Sequence, residues 1–353
     1  MARTRLQYVI IGACALVTAL FIIHEVLNFS NLKSADVVVG SIRKGRLFTS
    51  ATAGMPSDVR TSGGSWNRSD GCQRLWMQGR SKWFDDRYDG RLSALWTSLY
   101  KDLPSDVKRW WLTLQGSKEA GLAEALEKAF QLIPSGDPYA TKDLSRCLRC
   151  AVVGNSGNLR GSKYGKLIDS HDMVIRINKA KVKGFEEDVG HKDTHRIMYP
   201  ESAIDLQNDT HFVLAAFKTI DVQWIVSALT DGSVTKTYMP VKKKINTHKS
   251  KVMIYNPALL HHIHTVWQGG KGRYPSTGAM GIFMALHSCD EVNVFGFGPT
   301  ANGNWDHYWE PPINDEKVDA FRKTGVHNSE TESDIWQQLE REGKLKLYLG
   351  SRT

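Results

Sequence analysis

A strand, a glycine turn, a helix and a second strand are predicted in succession between Cys150 and Asn178, and this order constrains the fold more than any other stretch. The apolar segment 151–153 predicts a buried strand that breaks at Gly154 into a turn closed by Gly157 and Asn158. A helix is expected to follow to about Ile168, and then a β-branched strand. This unit is typical of the nucleotide-binding part of a Rossmann-like sheet, where ligands lie beyond the carboxyl ends of parallel strands.

Two details of the same segment argue against a dinucleotide site. The turn has two glycines, Gly154 and Gly157, rather than the three of the dinucleotide fingerprint. The second strand ends in Asn178 rather than in the acidic residue that binds the ribose of NAD. A polar turn with several asparagines suits a neutral base and ribose, so a dehydrogenase or methyltransferase is disfavoured.

After residue 150 short apolar segments alternate with helical ones, which predicts one α/β domain with a mostly parallel sheet flanked by helices. The expected strands are 151–153, 173–177, 195–199, 211–216, 252–255 and 291–295. Before the sheet, apolar residues from Trp83 to Leu99 recur at helical spacing, and 110–112 and 120–133 continue the pattern. A helical region with buried aromatic side chains is therefore expected ahead of the sheet.

The amino terminus predicts a membrane anchor. Residues 6–23 are apolar and uncharged, Arg3 and Arg5 precede them, and Glu25 follows. This pattern predicts a transmembrane signal anchor with a cytosolic amino terminus. A cleaved signal peptide is the alternative, but no small-x-small site follows the run. The expected organisation is a cytoplasmic tail at 1–5, an anchor at 6–23, a lumenal stem at 24–80 and a catalytic domain at 81–353.

The chain of 353 residues has a formal net charge of +9, which favours an anionic ligand. No RRM, KH or helix-turn-helix pattern supports nucleic acid, and Lys242 to Lys244 are interpreted as a solvated loop.

Beyond Cys14 in the apolar run, four cysteines would meet an oxidising lumen, where three pairings are open. Asn67 and Asn208 begin sequons that predict N-glycans.

Three further segments carry candidate chemistry. Ser276, Thr277 and Gly278 precede a predicted helix, whose first N–H groups suit an anion. After the last expected strand come His307-Tyr308-Trp309-Glu310 and then His327 with Glu332 five positions on. No DxD motif, the usual metal anchor of transferases with diphosphate donors, occurs in the chain, so no metal is expected.

Together with 150–178, these segments in this order resemble the large, small and two short carboxyl-terminal sialyl motifs of eukaryotic sialyltransferases. The resemblance runs from about Trp83 to near the end of the chain, and is closest to β-galactoside α2,3-sialyltransferases of the Galβ1,3GalNAc type. It implies inverting, metal-independent transfer from CMP-N-acetylneuraminate to O3 of galactose on glycoproteins or glycolipids. It also implies a single-pass type II protein of the Golgi membrane.

The resemblance also implies roles for individual residues. His327 is the expected general base and His307 the expected partner of the leaving phosphate, with Tyr238 as a further phosphate donor. The implied donor site is Asn155, Asn178, Ser276, Thr277, Gly278 and Gly298, the acceptor site is Gln115 and Tyr274, and the disulfides are Cys150–Cys289 and Cys72–Cys147. Another galactoside acceptor, or a catalytically silent glycan-binding protein, is the alternative.

The chain departs from the family pattern at two places. Only Cys72 lies early in the expected lumenal part, where close relatives carry a cysteine cluster. The loop 311–317 is longer than usual between the last two motifs. Because this loop is expected to border the acceptor, it bears on which glycan is preferred.

Overall fold

A computed structural model describes residues 72, 74, 76, 79–300, 306–310 and 325–350. The predicted tail, the anchor at 6–23, most of the stem, the sequon at Asn67 and the loop 311–317 lie outside these residues. Within the described part of the chain, no helix has both the length and the apolar character needed to cross a bilayer.

Seven strands form one sheet in which each strand pairs in parallel with its neighbours. They are β1 (Arg149–Val153), β2 (Met173–Ile177), β3 (His195–Met198), β4 (His211–Leu214), β5 (Val252–Ile254), β6 (Glu291–Phe295) and β7 (Lys346–Tyr348). The order across the sheet is β5-β4-β3-β2-β1-β6-β7. Every residue of β2 is buried, including Arg176, as expected for a parallel sheet covered on both faces.

The single α/β domain and the six expected strands are confirmed, whereas β7 was missed. Strands β3 and β4 end one and two residues earlier than predicted. Strand β7 has only three residues and lies at the edge of the sheet, where Lys346 pairs with Asn293. So short a segment, with a charged first residue, carries little hydrophobic signal.

The helices of the described chain include one that packs directly on the middle of the sheet. They are α1 (Lys82–Asp85), α2 (Ser105–Thr113), α3 (Leu122–Leu132), α4 (Gly165–Asp169), α5 (Glu186–Val189), α6 (Thr219–Ala228), α7 (Pro257–His262), α8 (Thr277–Ser288) and α9 (Ser329–Arg341). A π-helix, Ile263–Trp267, continues α7. All residues of α8 from Ala279 onward are buried. A Cβ on Gly281 would meet the side chain of Ile177 at 3.0 Å, so the glycine permits this close packing.

The expected helical pattern across 83–99 was wrong. Only α1 and a 3-10 turn, Ser98–Tyr100, form there, and Leu99 is 85% exposed. Leu95 instead forms a β-bridge with Tyr255, which explains why it is buried without a helix. The expectation of an aromatic core was confirmed for Phe84, Trp96 and Trp111.

The helix expected to run to Ile168 is also shorter than predicted. After a 3-10 turn, Gly157–Leu159, the chain forms a helix only from Gly165. Gly161 and Lys163 adopt φ angles of 69° and 55°, which a right-handed helix cannot include.

Both implied disulfides are present, Cys150–Cys289 and Cys72–Cys147. The first joins β1 to the end of α8.

Candidate active site

A cavity of about 730 Å³ opens beyond the carboxyl ends of β1, β2 and β6, a size suited to a small-molecule substrate. It brings together eight predicted site residues: Asn155, Asn178, Ser276, Thr277, Gly278, Gly298, His307 and His327. They come from the glycine turn, the end of β2, the amino end of α8, the loop after β6 and the two histidine motifs. A larger cavity, of about 970 Å³, lies near the amino ends of the strands and contains none of them.

The turn after β1 is held against the loop after β6. The backbone N–H of Gly154 donates to Phe295 O (2.8 Å), and that of Ser156 donates to Gly296 O (3.1 Å). A Cβ on Gly154 would lie 2.4 Å from Gly296 O, so this contact requires glycine. Asn155 donates weakly to Ile177 O (3.5 Å), and its buried Oδ1 has no partner among the described residues. That amide oxygen is therefore left to accept from a ligand.

Asn178 is held in a conformation that few residues adopt. Its φ is 51°, in the left-handed region that asparagine tolerates better than most side chains. Its Oδ1 accepts from Ser202 Oγ (2.9 Å), and its carbonyl accepts from Arg196 Nη1 (3.0 Å). The amide Nδ2 can therefore donate to a ligand while Oδ1 remains held by Ser202.

Glu332 fixes the amino end of α8. Its Oε1 accepts from the backbone N–H of Ser276 (2.8 Å) and from Gln268 Nε2 (2.9 Å). Its Oε2 accepts from Ser276 Oγ (2.6 Å), which itself accepts from Ala279 N (3.0 Å) as the helix cap. The His-x4-Glu spacing drew attention to Glu332, but the sequence did not indicate this structural role.

His307 is oriented by its own motif. Its Nδ1 lies 2.8 Å from Glu310 Oε2, and its ring stacks on Trp309 with centroids 4.6 Å apart at 6°. A β-bridge between His307 and Ser156 joins this turn to the glycine turn. Because the imidazole faces a carboxylate at Nδ1, Nε2 is the nitrogen that can meet a substrate.

Arg160 anchors the turn that carries His307, a role that the sequence did not reveal. Its guanidinium donates to the carbonyls of Tyr308 (2.9 Å) and His307 (2.7 Å), and also to that of Glu310. Its Nη1 pairs with Asp306 Oδ2 at 2.6 Å. Only a planar group with several donors makes these contacts together. The partners are backbone carbonyls about 150 positions away, so no sequence pattern marks them.

His327 is oriented by Tyr274. Its Nδ1 lies 2.9 Å from the Tyr274 carbonyl, and the two rings meet edge to face at 5.2 Å. A carbonyl only accepts, so Nδ1 carries the proton in the neutral ring. The lone pair of the neutral imidazole is consequently on Nε2, as a general base requires.

The predicted acceptor residues and Tyr238 do not line the cavity itself. Tyr274 contacts His327 and is hydrogen-bonded to Gln115, and burial raises the pKa of its phenol. Tyr238 is 53% exposed, and Lys218 Nζ lies 5.0 Å from its ring centre.

Asn208 is exposed in the turn before β4, whereas Thr210 of the same sequon is buried.

In the part of the chain that is described, one group, Cys72, Cys147 and Asp290, has the spacing of metal ligands. Both sulfur atoms are joined in a disulfide, so they are not available as thiolate ligands. Asp290 instead accepts from Trp76 Nε1 (2.8 Å) and Leu148 N (2.8 Å).

The chain matches the family model "Glycosyltransferase family 29 (sialyltransferase)" over residues 95–344. It is 48% identical, over 82% of each chain, to CMP-N-acetylneuraminate-beta-galactosamide-alpha-2,3-sialyltransferase 2 of Mus musculus. It is 45% identical to the corresponding sialyltransferase 1 of Homo sapiens, over 76% of this chain and 79% of that one.

A solved structure described as a mammalian sialyltransferase in complex with Gal-beta-1-3GalNAc-ortho-nitrophenol is also similar. The TM-score is 0.73 at 42% identity, and the match covers 79% of this chain and 99% of that one. The seven-stranded parallel sheet and the two histidine motifs thus occur in a chain that belongs to glycosyltransferase family 29, the sialyltransferases.

Proposed function

We propose that this enzyme transfers sialic acid from CMP-N-acetylneuraminate to O3 of the terminal galactose in Galβ1,3GalNAc glycans. The names of its relatives specify the donor, a β-galactosamide acceptor and the α2,3 linkage. The disaccharide in the similar solved structure supports the acceptor. The observation that carries the mechanism is that His307 and His327 line one cavity with different partners, a carboxylate and a carbonyl.

His327 acts as the general base in this proposal. The hydrogen bond from Nδ1 to the Tyr274 carbonyl leaves Nε2 to take the proton of the galactose O3 hydroxyl. The same contact fixes the ring beside Tyr274, which with Gln115 holds the acceptor galactose. Tyr274 therefore positions both the base, His327, and the acceptor galactose.

His307 stabilises the departing nucleotide. With Nδ1–H directed to the Glu310 carboxylate, the ring can carry a second proton on Nε2 and donate it to a phosphate oxygen. Tyr238 supplies a second donor to the same phosphate. The backbone N–H groups of Thr277 and Gly278, at the amino end of α8, contribute to the same anion site.

The transfer is a single displacement. The galactose O3 forms a bond to the anomeric C2 of sialic acid as its proton passes to His327. The bond from C2 to the phosphate oxygen breaks, and its electron pair leaves with CMP. Attack and departure on opposite faces convert the β-linked donor into an α-linked product, through an oxocarbenium-like transition state. No step requires a metal ion.

The expected topology belongs to the same proposal. Residues 6–23 anchor the enzyme in the Golgi membrane, 24–80 form the stem, and the domain from 81 faces the lumen. N-glycans occupy Asn67 and Asn208. Acceptors are O-glycans of glycoproteins or glycolipids that end in the same disaccharide.

A side-by-side transfer assay tests the function. The full-length protein in detergent is given CMP-N-acetylneuraminate and EDTA, with Galβ1,3GalNAc and Galβ1,4GlcNAc in parallel, and the product linkage is read by NMR. Transfer to O3 of the first acceptor supports the proposal. Preference for the second acceptor would replace the acceptor assignment, and binding of donor without any transfer would support a silent glycan-binding protein.

A further inference from the structure

A buried cluster of three charged side chains lies beside the cavity and is not used by the mechanism above. Lys218 Nζ is 2.7 Å from Asp221 Oδ1 and 3.2 Å from Glu201 Oε1. The side chains of Lys218, Asp221 and Glu201 are 9%, 0% and 3% exposed. Two carboxylates share one ammonium, so the fully ionised cluster carries one excess negative charge away from water, which is costly.

The cluster reaches the substrate side through Glu201. Glu201 lines the cavity, and its buried Oε2 has no hydrogen-bond partner among the residues that the structure describes. Its Oε1 also accepts from Thr237 Oγ1, next to Tyr238. Lys218 Nζ lies beneath the Tyr238 ring. The excess charge therefore lies at the wall of the cavity, on the side where the phosphate is proposed to bind.

The groups packed around Asp221 do not neutralise this charge. Phe217 N donates to Asp221 Oδ2 (2.9 Å), and Lys218 is the cation of the cluster. Burial raises the pKa of Asp221 to about 6, with a further contribution from Glu201, against the opposing effect of Lys218. The other titratable and charged groups facing the cluster are Tyr199, Tyr238, Tyr274 and, beside Tyr274, Arg273. Burial raises the pKa of each of these phenols, so they remain neutral.

We propose that the Glu201–Lys218–Asp221 cluster takes up a proton, on Asp221, when CMP-sialic acid binds in the adjoining cavity. The donor brings a phosphodiester and a carboxylate, both negative. An anion placed beside an excess carboxylate makes a proton there more favourable, and the coupling is reciprocal. The inference rests on the proposed function only for the identity of the donor.

Donor affinity then depends on pH in a defined direction. Below the pKa of Asp221 the cluster is neutral and the donor binds most tightly. Above that pKa, donor binding is coupled to the uptake of a proton from solution by Asp221. The Kd for the donor therefore rises by up to about tenfold per pH unit. The uptake is largest just above that pKa, and falls off at higher pH.

Calorimetry with CMP-N-acetylneuraminate as the probe and no acceptor tests the inference. Full-length enzyme is titrated at pH 6.5 and 7.5 in buffers of different ionisation enthalpy, which gives the number of protons taken up. Asp221→Asn removes the titrating group. Glu201→Gln leaves one carboxylate, Asp221, opposite one ammonium, Lys218, so the cluster has no excess negative charge. Asp290→Asn, the same change at a buried carboxylate near the amino end of β6, is the control.

The wild type and Asp290→Asn are expected to take up a fraction of a proton more than Asp221→Asn or Glu201→Gln. At pH 7.5 both cluster variants should bind the donor as tightly as the wild type or more tightly, whereas structural damage alone would weaken binding. Equal uptake in the wild type and in the folded variants overturns the inference while leaving the proposed function in place. Failure of the wild type to bind the donor would overturn both.

Discussion

Glu332 binds both the backbone N–H and the hydroxyl of Ser276, at 2.8 and 2.6 Å, although the two residues are 56 positions apart in the chain. One carboxylate thereby joins the last sialyl motif to the cap of α8, the helix at the centre of the fold. Tyr274, two residues before this cap, in turn orients His327. The two motifs therefore position each other.

Replacing Glu332 should loosen this junction. In Glu332→Ala three donors lose a buried acceptor, and we expect the free energy of unfolding to fall by roughly 2–4 kcal/mol. Affinity for CMP should fall as well, because Ser276 and Thr277 lose their fixed position. Urea unfolding and CMP titration measure both effects.

Glu330→Gln is the control for this change, because Glu330 is an exposed residue in the same turn of α9. Its unfolding free energy and CMP affinity should match the wild type. Wild-type CMP affinity in Glu332→Ala would show that the junction does not hold the donor site.

Arg160→Lys should lower the rate more than it lowers stability. Lysine keeps the charge that pairs with Asp306 but cannot reach several carbonyls of the His307 turn at once. A displacement of His307 by about 1 Å is expected to reduce kcat by about 10²-fold. The measurement is kcat and KM for the donor, together with the thermal midpoint.

Arg149→Lys serves as the comparison for Arg160→Lys, since Arg149 is an exposed residue whose pair with Asp172 spans 3.8 Å. No change in kcat is expected there. An unchanged kcat in Arg160→Lys would mean that the His307 turn keeps its position without the guanidinium.

Acid should destabilise the fold through two buried histidines. Burial lowers the pKa of His195 and of His287 to about 3. Since an unfolded histidine has a pKa near about 6.5, the unfolded state binds more protons between about pH 6.5 and 3. The stability that these neutral rings give is present above pH 6.5 and is lost as the pH falls through this window.

Asp221 opposes this trend, because its folded pKa of about 6 exceeds its unfolded value. Between about pH 6 and 4 it binds one proton in the folded state only, so these three groups together contribute a net loss of about 1.4 kcal/mol per pH unit. Urea unfolding at pH 7, 6 and 5 measures this slope, and His195→Asn should reduce it. A stability that stays constant down to pH 5 would contradict the burial of these rings.

Six of the seven strands, the glycine turn and the motif residues were predictable from the sequence because they rest on local patterns. Val152 and Ile175 lie in apolar runs, and Ser276 caps a helix whose amino end it marks. The helix expected around Leu99 was wrong because its spacing arose from residues that pack separately, Leu95 against Tyr255 and Trp96 against Trp111. Periodicity cannot distinguish these cases.

The parts of the site that escaped prediction depend on contacts distant in sequence. Arg160 binds backbone carbonyls, which carry no residue identity. The cluster of Glu201, Lys218 and Asp221 joins a 3-10 turn after β3 to the start of α6. Only the fold shows that these charges face one another beside the cavity.

The replacement His327→Ala tests the central claim most directly, with transfer to Galβ1,3GalNAc and donor affinity measured on the same preparation. Loss of the general base should lower kcat by about 10²–10⁴-fold while the Kd for CMP-N-acetylneuraminate stays within about threefold of the wild type. The exposed His191→Ala is the matched control and should retain full activity. Transfer by His327→Ala at the wild-type rate would contradict the assignment of His327 as the base.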